Sequence, residues 1–572
     1  MALAHLSTPL TEQLGPTPWQ SYPRPTLRRD SFINLNGWWD LALSGDDRIP
    51  TTYDRLIRVP FPPQSLLSGI CEQVPESEFL WYRRTFPRPA QQGTGRVLLH
   101  FGGADQYARV WLNGTLIGEH EGGYQPFAFD ITDLLQEENT LLVQVWDTMS
   151  KHILPCGKQS EKRGGMWYTP VSGLWQTVWL ECVPSRYIHR VQTRTEGARV
   201  MIRTQGDVSD GLVRITTPQG VLEVPLNGGQ ASFELEQPCW WSPERPYLYS
   251  FTVEAGEDRV ESYFALRTLS VEQVGGYPRL CLNGKPYFFH GVLDQGYWCD
   301  GIFLPADPKG YEEDILAMKA LGFNMLRKHV KVEPELFYYH CDRMGMVVFQ
   351  DMVSNSRYSF LRDTALPTVG FQRKPDRFTH RDKLTREAFL QAMDQTVDRL
   401  SQHPCICLWT IFNEGWGQFE STKAYRRMKA ADPTRFVAAV SGWFRGGESD
   451  LDCRHVYFRP FRAPRTRRPL VLSEFGGYSC PVDGHRFNPD KEYGYRHFDC
   501  VQDFEQALLE LYNTQILPGA AKGLCASVLT QLSDVEDETN GLVTYDRRVC
   551  KLSDGPAFRA LAQQLQQAVE GR

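Results

Sequence analysis

The sequence predicts a multidomain protein in which two N-terminal all-β sandwiches precede a C-terminal (β/α)8 barrel. Three observations predict it. At 572 residues the chain is too long for one hydrophobic core. Its first half carries short alternating apolar runs broken by turn chemistry. From about residue 275 onward, apolar strand patterns alternate with helical ones, the texture of a parallel barrel.

Residues 1–183 read as the first sandwich. Arg96–Phe101, Tyr107–Leu112, Thr140–Trp146 and Trp175–Glu181 alternate, and Asn113-Gly114 is a strong hairpin signal. Residues 184–274 read as a second, smaller one. Ala198–Thr204, Gly211–Thr216, Ala231–Leu235 and Tyr247–Val253 alternate within a span the size of an immunoglobulin-like domain. Pro184 and a strand-poor stretch, Thr268–Gly276, mark its seams.

Residues 275–572 supply eight strand candidates: Phe288–Leu293, Asn324–Leu326, Met346–Phe349, Ile406–Phe412, Phe436–Val440, Val456–Phe458, Leu470–Leu472 and Ala526–Leu529. Helical patterns at Tyr311–Leu321, Pro334–Met344, Thr385–Gln402, Phe419–Ala431, Gln502–Ile516 and Ala557–Val569 separate or follow them. A doubly wound open sheet is the competing reading, but no glycine-rich phosphate loop follows the first strand. Two long connections, Ser354–His380 and Gly476–Tyr495, are expected to shape a pocket at the barrel mouth.

Composition excludes several function classes. With 41% hydrophobic and 23% charged residues the chain is neither disordered nor membrane-spanning in pattern. A net charge of −6 without a basic block argues against nucleic acid. The N-terminus lacks a basic start followed by an apolar run, and the 14 cysteines form no compact framework, so a cytoplasmic protein is expected. Cys405-x-Cys407 and Cys453-x-His455 read as buried barrel residues rather than metal ligands. Aromatic residues make up 12% of the chain, which suits sugar stacking and sandwich cores alike.

The chemistry is expected on two strands. Ile406–Phe412 is apolar and stops abruptly at Asn413 and Glu414; Leu470–Ser473 stops at Glu474. Carboxylates at the C-terminal ends of barrel strands face one mouth, and a pair of them suggests glycoside hydrolysis.

These residues resemble glycoside hydrolase family 2, the group of β-galactosidases and β-glucuronidases. The resemblance covers nearly the whole chain. Trp81-Tyr82-Arg83-Arg84, Val110-Trp111-Leu112-Asn113-Gly114, Gly122-Gly123-Tyr124, Asp130-Ile131-Thr132 and Trp167-Tyr168-Thr169-Pro170 look like the family's sugar-binding jelly roll. His403-Pro404 with Leu408-Trp409 and Asn413-Glu414 resembles the acid/base signature, and Ser473-Glu474-Phe475-Gly476 the nucleophile strand. The resemblance implies a retaining exo-β-glycosidase with Glu414 as general acid/base and Glu474 as nucleophile. It further implies Arg327 and Tyr457 beside the nucleophile and Asn413 on the sugar 2-hydroxyl. Asp294, Asp351 and His329 are candidate hydroxyl ligands, and Trp298 and Trp443 candidate stacking faces. The chain departs from the family where better-known members carry Arg-His after the first strand: it reads Leu293-Asp294-Gln295-Gly296.

By the same resemblance, a β-glucuronidase holds the substrate carboxylate with an Asn-x-Lys motif after the eighth strand. Here that region is Glu536-Asp537-Glu538-Thr539-Asn540-Gly541-Leu542, with three acids and no lysine. Such acids would repel a uronic acid, which favours a neutral sugar, β-galactoside first, with β-glucuronide as the main alternative. Lys328 and Lys491 are the cations that could still reach inward. Val353-Ser354-Asn355-Ser356 offers neither the acid nor the histidine that the large β-galactosidases use for a metal, so no metal or cofactor is expected. The expected partner is a carbohydrate, with no nucleic acid and no membrane, and a homo-oligomer is left open. An inactive carbohydrate-binding protein on this scaffold is the competing class; both carboxylates being present argues against it.

Overall fold

The computed structural model describes residues 3, 5–90, 95–368, 371, 380, 382–444, 447–553 and 555–570. Its first sandwich opposes a six-stranded antiparallel sheet to a four-stranded one. Alternation makes the core: along Tyr107–Leu112 every second side chain is buried, and Val110, Leu112, Leu141 and Val143 meet Tyr82 and Leu99 inside. Each such buried aliphatic side chain stabilises the sandwich by about 1.5–3 kcal/mol. The hairpin predicted at Asn113-Gly114 forms, with φ of 50° and 82°, the left-handed pair that a tight turn between twisted strands requires.

The second sandwich packs a three-stranded sheet on a four-stranded one between Ile188 and Phe264. Two buried carboxylates tie it to its neighbours. Asp258 receives Arg29 from the N-terminal segment at 2.8 Å, and Arg29 also reaches Glu181 of the first sandwich at 3.4 Å. Toward the barrel, Asp342 accepts hydrogen bonds from Tyr263 Oη, His403 Nδ1 and the Cys405 amide, each at 2.7 Å.

The stretch read as strand-poor is instead a hairpin. Leu269–Val274 pairs with Tyr277–Leu282 around Gly275 and Gly276, both with positive φ. No residue of Leu269–Val274 is fully buried, and Val271, Glu272 and Gln273 are exposed, so that strand carries little core signal.

Eight parallel strands then form the barrel: Phe289–Asp294, Met325–Lys328, Val347–Asp351, Ile406–Phe412, Phe436–Val440, Asp452–Val456, Leu470–Gly476 and Leu524–Thr530. All but the sixth are buried along their whole length, because helices cover their outer face and the barrel core fills the inner one. The ladder runs from the fifth strand back to the first and on through the eighth and seventh to the sixth. Between the fifth and sixth, segment 449–450 closes the ring: Asp450 N–H donates to the Val437 carbonyl at 3.0 Å, and Val437 N–H donates to Asp450 Oδ2 at 2.9 Å.

Two elements differ from expectation. The sixth strand is Asp452–Val456, not Val456–Phe458; its Asp-Cys-Arg-His-Val run is too polar to read as barrel core. The helix expected over Gln502–Ile516 breaks into Val501–Leu511, a wide π turn at Tyr512–Ile516, and Leu517–Ala521. Pro518 has no N–H for an α ladder and its ring crowds the preceding turn, which the wider turn relieves. Of the connection Ser354–His380, residues 369, 370 and 372–379 lie outside the described residues. No helix among the described residues is long and apolar enough to cross a membrane.

Candidate active site

Strand four delivers its carboxylate through a sharp turn. Glu414 has φ of 48° and Gly415 of 69°, so two successive residues adopt the left-handed conformation. The turn is held by Glu414 N–H donating to the Ser441 carbonyl at 3.1 Å. A Cβ at residue 415 would lie 2.5 Å from the Phe444 ring, so only glycine fits. Strand seven uses a different device. Its register shifts on both sides around Ser473 and Glu474, a bulge that re-aims the glutamate. The displaced Ser473 carbonyl accepts from Arg327 Nη1 at 2.8 Å.

The two carboxylates converge on His455, with Nδ1 at 2.9 Å from Glu414 Oε1 and 3.3 Å from Glu474 Oε2. One oxygen of each glutamate and the His455 nitrogen all lie within 4.8 Å of one another. Because His455 Nε2 faces the Arg327 guanidinium at 3.5 Å, a donor, Nδ1 is the ring nitrogen that presents its N–H to the two acids.

Glu474 also accepts from Arg327 Nη1 at 2.9 Å and from Tyr457 Oη at 2.7 Å. Burial alone would raise its pKa, but the neighbouring His455 and Arg327, with smaller contributions from His329 and Lys158, hold it down at about 2. Arg327 is fully buried and anchored in turn by Asp351, at 3.0 Å from Nε and 2.9 Å from Nη2. Asn413 Oδ1 accepts from Arg327 Nη2 and Ser441 Oγ, both at 2.9 Å. That assigns its amide orientation and leaves the buried Nδ2 without a hydrogen-bond partner among the described residues.

The other sequence-predicted residues divide. Trp443 stands beside the pair, 6.0 Å from the His455 ring and stacked on Phe458. His329 donates from Nδ1 to Asp351 at 2.7 Å, and burial lowers its pKa to about 4. Asp351 has both oxygens engaged, by Arg327 and His329. Asp294 is bound to Lys328 at 2.6 Å and to the Gly296 amide at 2.8 Å. Trp298 packs away from the pair, against Tyr311 and under Arg547. Lys328 is clasped by Asp294 and Glu333, and Lys491 is exposed.

The three acids after the eighth strand are also engaged, by the first sandwich. Arg163 pairs with Glu536 at 3.3 Å and Asp537 at 3.2 Å; the Thr169 amide donates to Glu536 at 2.8 Å. Glu538 accepts from Tyr168 Oη at 2.5 Å and from Gln531 Nε2 at 3.0 Å. They hold the sandwich to the barrel, so their expected repulsion of an acidic sugar is not supported by where they sit.

Sequence reasoning missed several residues of the mouth. His455 had been noticed only as half of Cys453-x-His455; its place two residues before Tyr457, on the same face of an extended segment, was the available signal. Tyr495, from the loop after strand seven, stacks on Tyr457 at 4.1 Å. Trp416 meets Trp167 of the sandwich at 5.3 Å, a contact without a sequence signature. Glu414, His455 and Glu474 also have the donor types and spacing of a cation site. Arg327 already supplies positive charge to Glu474 there.

Comparison with known proteins bears on the site. Residues 64–169 match the family description "Glycosyl hydrolase 2 galactose-binding domain-like", residues 187–267 "Glycosyl hydrolases family 2", and residues 276–464 "Glycosyl hydrolases family 2, TIM barrel domain". Human beta-glucuronidase is 25% identical over 535 residues, covering 80% of this chain and 76% of its own. A beta-galactosidase of Thermoanaerobacter pseudethanolicus is 26% identical, over 58% of this chain and 44% of its own. Among solved structures, a beta-D-glucuronidase of Dictyoglomus thermophilum superposes with a TM-score of 0.72 at 18% identity, over 95% of this chain and 98% of that one. A beta-galacturonidase of Eisenbergiella tayi does so with a TM-score of 0.66 at 18% identity, again over 95% and 98%. At these identities the structural likeness is one of fold.

Proposed function

Since the chain belongs to glycoside hydrolase family 2 and is a glycoside hydrolase, we propose that it is a retaining exo-β-glycosidase releasing a terminal β-linked uronic acid. The observation that carries the mechanism is the close approach of Glu414 and Glu474, whose nearest oxygens are within 4.8 Å. Retaining enzymes hold their carboxyl groups about 5–5.5 Å apart, whereas inverting ones leave room for a water at about 6.5–9.5 Å.

In the first step Glu474 attacks the anomeric carbon while Glu414 gives its proton to the glycosidic oxygen. The C–O bond to the leaving group breaks and an ester to Glu474 forms. In the second step Glu414 takes a proton from water, which attacks the same carbon and frees Glu474. Arg327 and Tyr457 keep the nucleophile ionised and aimed. The unpartnered Nδ2 of Asn413 is the donor available for the sugar 2-hydroxyl, a contact that strengthens toward the transition state.

The sugar assignment corrects the expectation of a β-galactoside. Relatives and structural neighbours are named beta-glucuronidases and a beta-galacturonidase, and the beta-galactosidase relative aligns over a smaller share of this chain. The objection from Glu536, Asp537 and Glu538 falls away once their partners are counted. A reducing compartment such as the cytoplasm fits the cysteines, all of which are free among the described residues.

The test is turnover of p-nitrophenyl β-glucuronide, β-galacturonide, β-glucoside and β-galactoside by wild type and Glu474→Ala. The expected result is turnover of a uronide, reduced about 10⁴-fold or more in the variant. Turnover of neutral glycosides alone would refute the uronide reading, and undiminished activity in the variant would refute the nucleophile.

A further inference from the structure

We propose that Lys158, carried into the barrel mouth by the first sandwich, is the cation that receives the carboxylate of the uronic acid. This rests on the uronide reading above and names the residue responsible for it.

Lys158 is delivered by a loop that the barrel grips. Cys156 and Gly157 donate their amides to the Ser354 carbonyl, at 3.0 and 2.8 Å, beyond the third barrel strand. Gly157 has φ of 68°, and a Cβ there would lie 2.7 Å from the Val330 carbonyl, so the loop sits as close to the barrel as a backbone can. The Lys158 carbonyl accepts from Tyr168 N–H at 3.1 Å, which fixes the residue from its other side.

The residue is 7% exposed. Its ammonium lies over the rings of Tyr168, at 5.5 Å, and Trp416, at 6.0 Å. Trp416 is two residues past Glu414, and its amide donates to the Asn413 carbonyl at 2.8 Å. Among the described residues no carboxylate forms an ion pair with Lys158, although its charge is felt at Glu474, His329 and Glu538.

The other buried lysines of the mouth are committed. Lys328 pairs with Asp294 and Glu333; Lys331 donates to the carbonyls of Gly296 and Phe303 and to Glu333. Lys158 therefore differs in kind. A largely buried cation held by two aromatic faces, with no carboxylate in direct ion-pair contact among the described residues, is costly, and a ligand carboxylate would relieve the cost. The need grows during the reaction, because forming the glycosyl ester removes the negative charge of Glu474. A substrate carboxylate would keep a negative charge beside Lys158 throughout. Tyr168 and Gln531, which hold Glu538, border the same corner beyond the eighth strand.

The experiment compares wild type, Lys158→Met and Lys158→Arg on p-nitrophenyl β-glucuronide, β-galacturonide and the methyl ester of each. The esters keep the sugar and remove only the charge. The expected result is that Lys158→Met lowers kcat/KM for the preferred uronide about 100-fold, as for loss of a hydrogen bond to a charged group. Its effect on the ester should be less than about threefold, with Lys158→Arg retaining most of the acid preference. If wild type hydrolyses a uronide and Lys158→Met depresses acid and ester equally, or neither, Lys158 is not the recognition residue while the uronide reading stands. If wild type hydrolyses no uronide, both fall. Should Lys158→Met fail to fold, Lys158→Gln carries the same comparison, and unaltered acid preference in it overturns the proposal.

Discussion

At Glu474 the decisive quantity is charge. A buried carboxylate is ordinarily pushed toward protonation, yet here His455 and Arg327 overcome burial and bring the pKa to about 2. The depressed group is ionised above that value and loses its charge only as pH falls through it. Proton uptake by the nucleophile therefore should not limit the reaction at mildly acidic pH. A 2-deoxy-2-fluoro glycosyl fluoride isolates this step, because fluoride departs with little help from the acid/base. Its rate of inactivating the enzyme should stay flat from about pH 7 to about pH 4, given the depressed carboxylate. A fall centred near pH 5 would show that Glu474 titrates as an ordinary acid. The same residue shows how side chains here serve in series: Asp351 holds Arg327, and Arg327 holds both Glu474 and the Asn413 oxygen. Asp351, a candidate sugar ligand from sequence, has both carboxylate oxygens engaged by Arg327 and His329.

At the scale of elements, two strand ends present the candidate carboxylates by different means. Strand four ends in a left-handed pair, and strand seven in a bulge. Gly415→Ala tests the first. Its Cβ would meet the Phe444 ring at 2.5 Å in a backbone conformation that alanine resists. The expected result is a stability loss of about 1–2 kcal/mol by chemical denaturation. With it should come a fall in kcat of about 10–100-fold as Glu414 shifts. Wild-type kcat in this variant would show that the turn does not position the acid. The apolar runs of strands four and five were legible residue for residue, since burial on both faces leaves a continuous apolar signal. The sixth strand was not, because Arg454 and His455 interrupt it with polar side chains, and His455 serves the site. Bulges and left-handed turns leave only faint traces: a glycine follows Glu414 in the sequence, but nothing there shows the positive φ of Glu414 itself.

On the scale of the whole molecule, the sandwich completes the barrel mouth. Tyr168 and Glu538 are 370 residues apart and share a hydrogen bond, Arg163 closes on Glu536 and Asp537, and Lys158 enters beside them. Family resemblance made the order of sandwiches and barrel readable, and strand-end carboxylates made Glu414 and Glu474 readable as candidates at one mouth. The role of Glu536, Asp537 and Glu538 was not, because no local pattern shows which distant residue neutralises an acid. The expectation of a neutral sugar rested on those three acids being unpaired. The pairing of Glu414 with Glu474 depends on this whole arrangement, since strands four and seven meet only across the closed mouth. Proton NMR of the sugar released in the first moments of hydrolysis, before mutarotation, tests that pairing most directly. With oxygens of the two carboxyl groups within 4.8 Å, the account predicts the β-anomer first. First appearance of the α-anomer would contradict it, because an inverting reaction needs a water between carboxylates standing farther apart.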